Sequence, residues 1–390
     1  MRTVLGLVTI AACGGSSATL DGGDGDAVEA VDAMTCTRTP PGPADHTRRV
    51  VVSHPYDAAS AQANDWEMLD LSTAGTFSRP NHHFTMGRAD VGEVVFTPDG
   101  KIGIAVQDDG TLGVFSLDDS GVPAVIAPKF KGGFYADRVV MAARGDHAYV
   151  LDDEFREIGG GIYRIDIGCD GSIIDRGLVL AGKLPSALAF AANGDAIVAA
   201  VELGASTTSG VHVATWGATP AVVASAAAFP DDMAIVGGAT LTRDGAFFLI
   251  GDTSQFASVP NRVAVVPVTG EALGTSYVIA NVMDPLALIA SPFTDDVLVA
   301  SGFGDALYTL HRDPDGMWRD KGEITYQGAK PQLPGGAVRI EAGALAGTVL
   351  VGENLGVRRV ELGANGVTDH GLYSLGTGTA NIVGAVGVTP

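Results

Sequence analysis

Carboxylates recur along this chain at intervals of about 50 residues, the spacing of a repeated structural unit. Asp108, Asp152, Glu202, Asp252 and Glu353 each stand where a short apolar run gives way to polar sequence. Gathered on one face, such groups form an acidic ring that attracts a cation or a basic partner. Ca²⁺ is the ion that oxygen-only sites of this kind take. Beyond that, no cofactor is expected. The common catalytic signatures are absent: the chain holds no G-x-S-x-G elbow, H-E-x-x-H pair, phosphate-binding loop, C-x-x-C pair or dinucleotide glycine fingerprint.

Other candidate ligands have plainer readings. His82 and His83 are adjacent, and neighbouring side chains on a strand point to opposite faces, so the two do not converge on one metal. His212 is the middle residue of an alternating strand and reads as an ordinary sheet histidine. Asp313-Pro314-Asp315-Gly316 lacks the regular series of oxygen ligands of a calcium loop and reads as a hairpin turn. Trp66, Trp216 and Trp318 fall in unlike places, without the repeated tryptophan docking motif of a quinone-cofactor dehydrogenase.

These residues need a frame to hold them. The 390 residues include 53 glycines, and no stretch is rich enough in Glu, Lys, Leu and Arg to build a long helix. Short strands joined by tight turns are the expected elements. An apolar-polar-apolar motif occurs seven times, as Leu69-Asp70-Leu71, Phe115-Ser116-Leu117, Tyr163-Arg164-Ile165, Val211-His212-Val213, Val266-Pro267-Val268, Tyr308-Thr309-Leu310 and Val360-Glu361-Leu362. Upstream of these motifs lie turn pairs such as Asp99-Gly100, Asn193-Gly194 and Asp244-Gly245, where glycine supplies the positive φ that hairpins need. Each repeat thus holds about four strands. The N-terminal repeat lacks its first strand, and Ala385-Val386-Gly387-Val388-Thr389-Pro390 echoes Val94-Val95-Phe96-Thr97-Pro98, a first strand. The expected fold is all-β: a seven-bladed β-propeller of four-stranded antiparallel blades, closed by the C-terminal strand joining the N-terminal blade. Pro267 is awkward in a third strand, because it donates no hydrogen bond. In this frame the loops after second and fourth strands share one face, and those at 53–65, 152–161, 202–210 and 251–261 are long. Function is expected on that face.

Residues 1–12 read as a lipoprotein signal peptide. Arg2 precedes an apolar run over 4–12 that is too short to span a bilayer, and Ile10-Ala11-Ala12-Cys13 resembles the bacterial lipobox, with Cys13 the lipidated residue. Residues 13–45 read as a flexible tether containing Pro40, Pro41 and Pro43, and 46–390 as the propeller domain. The expected address is the bacterial cell envelope, exported and held to the membrane by lipid. Cys36 and Cys169 remain as an even pair, either bridged or as separate thiols. The net charge of −21 repels phosphate backbones, so nucleic acid is not an expected partner. A monomer is expected.

Tyr149-Val150-Leu151-Asp152 followed by Ile162-Tyr163-Arg164-Ile165-Asp166, together with Phe96-Thr97-Pro98-Asp99-Gly100, resembles the repeat signatures of YVTN-type and lactonase-like bacterial propellers. The resemblance covers most of 46–390 as a blade pattern, and it implies fold more than activity. A lactonase-like enzyme would place carboxylate, histidine and arginine, or a metal, where first strands begin at the channel mouth. Asp90, Tyr135, Asp137, Arg138, Asp284 and Arg339 fall there, but no histidine does. The sequence therefore favours a non-enzymatic binding or scaffold domain, with an envelope protein or a small molecule as partner. A lactonase-like hydrolase with its site at the central channel is the alternative.

Overall fold

The computed structural model describes residues 38–39, 46–56, 64–152, 160–229, 236–252 and 261–390. The expected signal peptide and nearly all of the tether, including Cys13 and Cys36, lie outside the described residues. So do the centres of the loops at 53–65, 152–161 and 251–261. Among the described residues the chain is all β, with one 3₁₀ turn at Thr379–Asn381 and no helix long and apolar enough to cross a membrane.

The strands form successive antiparallel meanders. Gly92–Phe96, Ile102–Val106, Leu112–Leu117 and Pro123–Phe130 pair in order. The same pattern returns from Ala136–Met141 to Ile173–Lys183, from Ala187–Phe190 to Ala221–Ala227, from Val236–Leu241 to Tyr277–Ala280, from Pro285–Ala290 to Trp318–Glu323, and from Ala337–Arg339 to Gly366–Ser374. The N-terminal strands Arg48–Ser53, Asp65–Leu71 and Phe77–Thr85 are completed by the C-terminal strand Ala385–Val388. That strand lies antiparallel to the first, through Val50↔Val388 and Val52↔Val386. Its other edge runs parallel to Gly92–Phe96, through Val386↔Glu93, which merges two meanders into one eight-stranded sheet.

The turns explain why the chain reverses where it does. The Thr97 hydroxyl donates to Asp99 at 2.6 Å and accepts from the Ile102 N–H at 3.1 Å, while the Gly100 N–H closes on the Thr97 carbonyl at 2.7 Å. Thr242, Asp244, Gly245 and Phe247 repeat the arrangement. Asp313–Gly316 is likewise a hairpin turn, with the Gly316 N–H on the Asp313 carbonyl at 2.8 Å. Pro267 is accommodated because the fourth strand of its meander is split. Ala272–Leu273 pairs with Val268 and Thr269, Tyr277–Ala280 pairs with residues 262–265, and at the break Gly274 donates its N–H to the Pro267 carbonyl at 2.8 Å, so regular pairing stops where the proline has no N–H to return.

Burial differs from simple alternation. Second and third strands such as Arg48–Ser53 and Gly161–Ile167 are buried along almost their whole length, whereas fourth strands such as Pro123–Phe130 alternate between half-buried and exposed. The reason is that both faces of each sheet pack on a neighbour. One apolar cluster joins Ile104 and Val114 to Val150 and Ile165, and another joins Val50, Val52 and Leu69 of the N-terminal strands to Leu350 and Val357 near the C-terminus. The innermost strands approach so closely that side chains are excluded at points. A Cβ on Gly336 would lie 1.9 Å from the Gly92 carbonyl oxygen, and one on Gly238 would lie 2.6 Å from the Ala287 Cα.

Because Val386 is fully buried and Ala385 and Val388 nearly so, removing residues 385–390 strips both neighbouring strands of partners. The deletion is expected to cost more than about 3 kcal/mol in chemical denaturation. A wild-type-like denaturation midpoint in the deletion variant would refute this account of the closing strand.

Candidate functional site

The five recurrent carboxylates do not form an open acidic ring. Asp252 is fully buried and binds Arg262 at 2.8 Å. Glu353 is buried against Arg358 at 3.0 Å, and that arginine also holds Asp369 at 2.6 Å and the Ala329 carbonyl at 2.7 Å. Asp152 is buried as well. Glu202 pairs with Lys183 at 2.7 Å across a short strand pairing. The physical reason is the two-sided burial of second strands: their ends still lie between sheets, so a carboxylate there meets an arginine rather than water. The N-terminal meander solves the same problem with Glu67, which is fully buried and bound by His54 and Arg79. Burial pushes the Glu67 carboxyl up, but the hydrogen bonds from His54 and Arg79 prevail and hold it below its ordinary value.

Asp108 alone of the five joins a cluster beside the start of a first strand. Its carboxylate accepts the Asp90 N–H at 2.9 Å and lies 3.2 Å from Arg88, which also binds Asp90 at 2.6 Å. The Tyr135 hydroxyl donates to the Asp108 carbonyl at 2.6 Å, and the Arg88 guanidinium sits over the Tyr56 ring. Burial, reinforced by the Asp90 carboxylate and opposed by Arg88, pushes the Asp108 carboxyl up to about 6.

The channel-mouth set also divides. Asp90 and Tyr135 belong to this cluster, and Asp137 and Arg138 line an inner cavity of about 230 Å³. Asp284 is instead fully buried, accepting the Phe303 N–H at 2.7 Å. Arg339 lies at the far end of its strand, where it donates to the Ala290 carbonyl and pairs with Glu341 at 2.7 Å. That first strand, Ala337–Arg339, is only three residues long, so a residue expected at its beginning closes its end. Two of the candidate histidines have structural partners: His83 binds Asp65 at 2.9 Å, and buried His212 meets Ser225 at 2.8 Å. No group of three or more His, Cys, Asp or Glu among the described residues is arranged to hold a metal.

The sequence reading missed Glu93. It lies on the first strand Gly92–Phe96, and together with Arg138 it lines both the inner cavity and a second cavity of about 230 Å³ that continues past Val95 and Met141. Val139 and Ala239 also line both cavities, so these four residues mark where the two adjoin. Neither the Glu93 nor the Arg138 side chain has a hydrogen bond or ion pair among the described residues. Burial pushes the Glu93 carboxyl up, and Arg138 is near enough to draw it partly back. A signal for Glu93 was present: Glu93-Val94-Val95 and Arg138-Val139-Val140 occupy equivalent places in consecutive repeats. A basic carboxylate facing an unengaged guanidinium in a narrow cavity can accept a proton from water and support a developing oxyanion.

Cys169 is disulfide-bonded. Beside it, Arg38 donates to the Gly168 carbonyl at 2.7 Å and approaches Asp99 at 3.4 Å, which fixes the segment leading into the domain against two hairpin turns.

No protein-family model matches the chain, and no curated protein matches it. Solved structures do. The periplasmic gluconolactonase PpgL of Pseudomonas aeruginosa superposes with a TM-score of 0.63 at 13% identity, covering 88% of this chain and 99% of that one. A provisional 6-phosphogluconolactonase of Bacteroides uniformis gives 0.62 at 12%, covering 88% and 99%. A protein of Lactobacillus plantarum gives 0.61 at 11%, covering 88% and 100%. At these identities the likeness is one of fold: the chain is a β-propeller-like protein with lactonase-like structural neighbours.

Glu353 provides a test of the buried pairs. With Glu353 Oε2 unpartnered, burial pushes this carboxyl up to about 7 from its ordinary 4.5, and Arg358 opposes the rise. A raised carboxyl binds its proton more tightly in the folded state, so its favourable contribution is complete below pH 4.5 and is lost as pH rises through 7. Glu353→Gln is expected to flatten the stability profile across that window in urea titrations. An unchanged slope would refute the assignment.

Proposed function

We propose that this protein is a lactonase-like hydrolase working in the central channel of a closed seven-bladed β-propeller. Dividing the eight-stranded sheet at its parallel pairing gives seven units, five of four strands and two that carry an additional short strand, and the apolar cluster between the last and first units supports closure. The observation that carries the activity is the Glu93–Arg138 pair, two ionisable side chains that line the same two adjoining cavities, near enough for Arg138 to act on the Glu93 carboxyl, and neither hydrogen-bonded nor ion-paired among the described residues. The lactonase-like neighbours agree with this reading. A scaffold role would use the same frame but leave that pair unexplained.

In the proposed reaction Glu93 accepts a proton from a water that attacks the lactone carbonyl, forming the new C–O bond. Arg138 stabilises the oxyanion of the tetrahedral intermediate. As the ring C–O bond breaks, Glu93 returns its proton to the departing ring oxygen, and an open hydroxy acid leaves. Proton transfer of this kind contributes about 10²–10⁴-fold, and one oxyanion donor about 10²–10³-fold. In a pH-drop assay over a panel of lactones, Glu93→Gln and Arg138→Ala are therefore each expected to lower kcat/KM by at least about 10²-fold with thermal stability unchanged. No wild-type turnover across the panel, or full activity in Glu93→Gln, would sink the proposal.

The same reading places the protein in the bacterial envelope as a monomer, anchored through a lipidated Cys13 and exported by residues 1–12. It assigns Cys36 as the partner of Cys169, since Arg38, two residues further on, is held beside Gly168. Non-reducing peptide mapping is expected to recover a Cys36–Cys169 cross-link, and Cys36→Ser to cost about 2–4 kcal/mol of stability. A cross-link from Cys169 to Cys13 would overturn both assignments at once.

A further inference from the structure

We infer that the channel mouth selects substrates bearing an apolar chain rather than polar or phosphorylated sugars, an inference that rests on the hydrolase reading for its reaction but not for its binding. Buried surfaces in this chain are apolar and its exterior is acidic, so large exposed apolar side chains gathered beside a cavity need a reason. Met283, Phe303 and Leu333 are 48%, 64% and 43% exposed. They are neighbours: a Cβ on Gly304 would lie 3.3 Å from the Met283 sulfur, and the Leu333 N–H donates to Asp305 at 2.7 Å.

The three residues stand just before or between the strands that enclose the cavity. Met283 precedes Leu286, and Leu333 precedes Gly335 and Gly336, all of which line the inner cavity. Val91, 49% exposed, lies on the same cavity wall next to Gly92 and Glu93. Exposed apolar side chains thus stand within three residues of the strand entries Leu286 and Gly335 and, at Val91, on the wall of the cavity that holds Glu93 and Arg138.

The rim is also held in place. Buried Asp284 accepts the Phe303 N–H at 2.7 Å, and Asp305 fixes Leu333. The backbones of the two most telling side chains are therefore clamped while the side chains themselves face solvent. Charge decides against an anionic substrate. Asp137 and Glu93 line the cavity, Asp90 adjoins its wall residue Val91 and shares Arg88 with Asp108, and Asp305 is tied to the Leu333 backbone. This leaves Arg138 as the cation available inside. A phosphorylated sugar would meet the Glu93 and Asp137 carboxylates on the cavity wall, whereas a neutral lactone with an alkyl tail meets the apolar lining of Val91, Val139 and Leu286.

The test separates binding from turnover. Hydrolysis-resistant δ-lactams carrying butyl, hexyl or octyl chains are titrated into the full-length protein by calorimetry, with gluconolactam and its 6-phosphate as polar comparators. Affinity is expected to rise about twofold per methylene, half of what full burial would give. The Phe303→Ser/Leu333→Ser double variant, altered only at exposed positions, is expected to lose at least tenfold for the octyl lactam while binding the butyl lactam within twofold of wild type. Affinity that does not change with chain length, an unaffected double variant, or tighter binding of the sugar lactams overturns the inference. Chain-dependent binding without lactone turnover would sustain it and sink the hydrolase. Turnover confined to sugar lactones would do the reverse.

Discussion

An ionised side chain withdrawn from water costs several kcal/mol unless an opposite charge or a set of hydrogen bonds meets it. In this protein that constraint bears on every sheet, because each is covered on both faces and the ends of its central strands remain inside. Glu67 is met by His54 and Arg79, Asp252 by Arg262, and Glu353 and Asp369 by one arginine, Arg358. These pairs link neighbouring strands and limit how the strands can slide. Glu93 and Arg138 stand out against these pairs because they line one cavity and neither side chain has a hydrogen bond or ion pair among the described residues.

The all-β character and the turn positions were legible in the sequence because turn chemistry is local: threonine, aspartate and glycine at Thr97, Asp99 and Gly100 make their own hydrogen bonds. The role of the C-terminal strand was legible too, since Val386 and Val388 repeat an apolar pattern that only a sheet edge can use. The surroundings of the carboxylates were not. An Asp or Glu at the end of an apolar run looks exposed, and nothing local reveals that a second sheet lies above it. Arg262 and Arg358, the residues that answer those charges, come from the following strand. Glu93 was hidden for the opposite reason, as a single charge within an apolar first strand that looks like core until the strand is seen to border a cavity.

Glycine sets the dimensions of that cavity. Where Gly336 meets Gly92 and Gly238 meets Ala287, backbone packs on backbone, so the bore is set by main-chain spacing and the side chains of Glu93, Asp137 and Arg138 project into a space that they do not have to support. This division lets the residues of the cavity change without loosening the sheets. It suits a frame whose structural neighbours share the fold at 11–13% identity.

The seating of residues 385–388 has a consequence in time. Arg48 donates to Thr389 across 341 positions of sequence, so strands made early are finished by a strand made more than 300 residues later. Until residues 385–388 emerge, Arg48–Ser53 and Gly92–Phe96 each wait with a bare backbone edge, the kind of surface through which nascent chains stick to one another. Folding of so non-local a topology is slow. Its dependence on helpers that shield unfinished chains should exceed what the stability of the finished molecule would suggest.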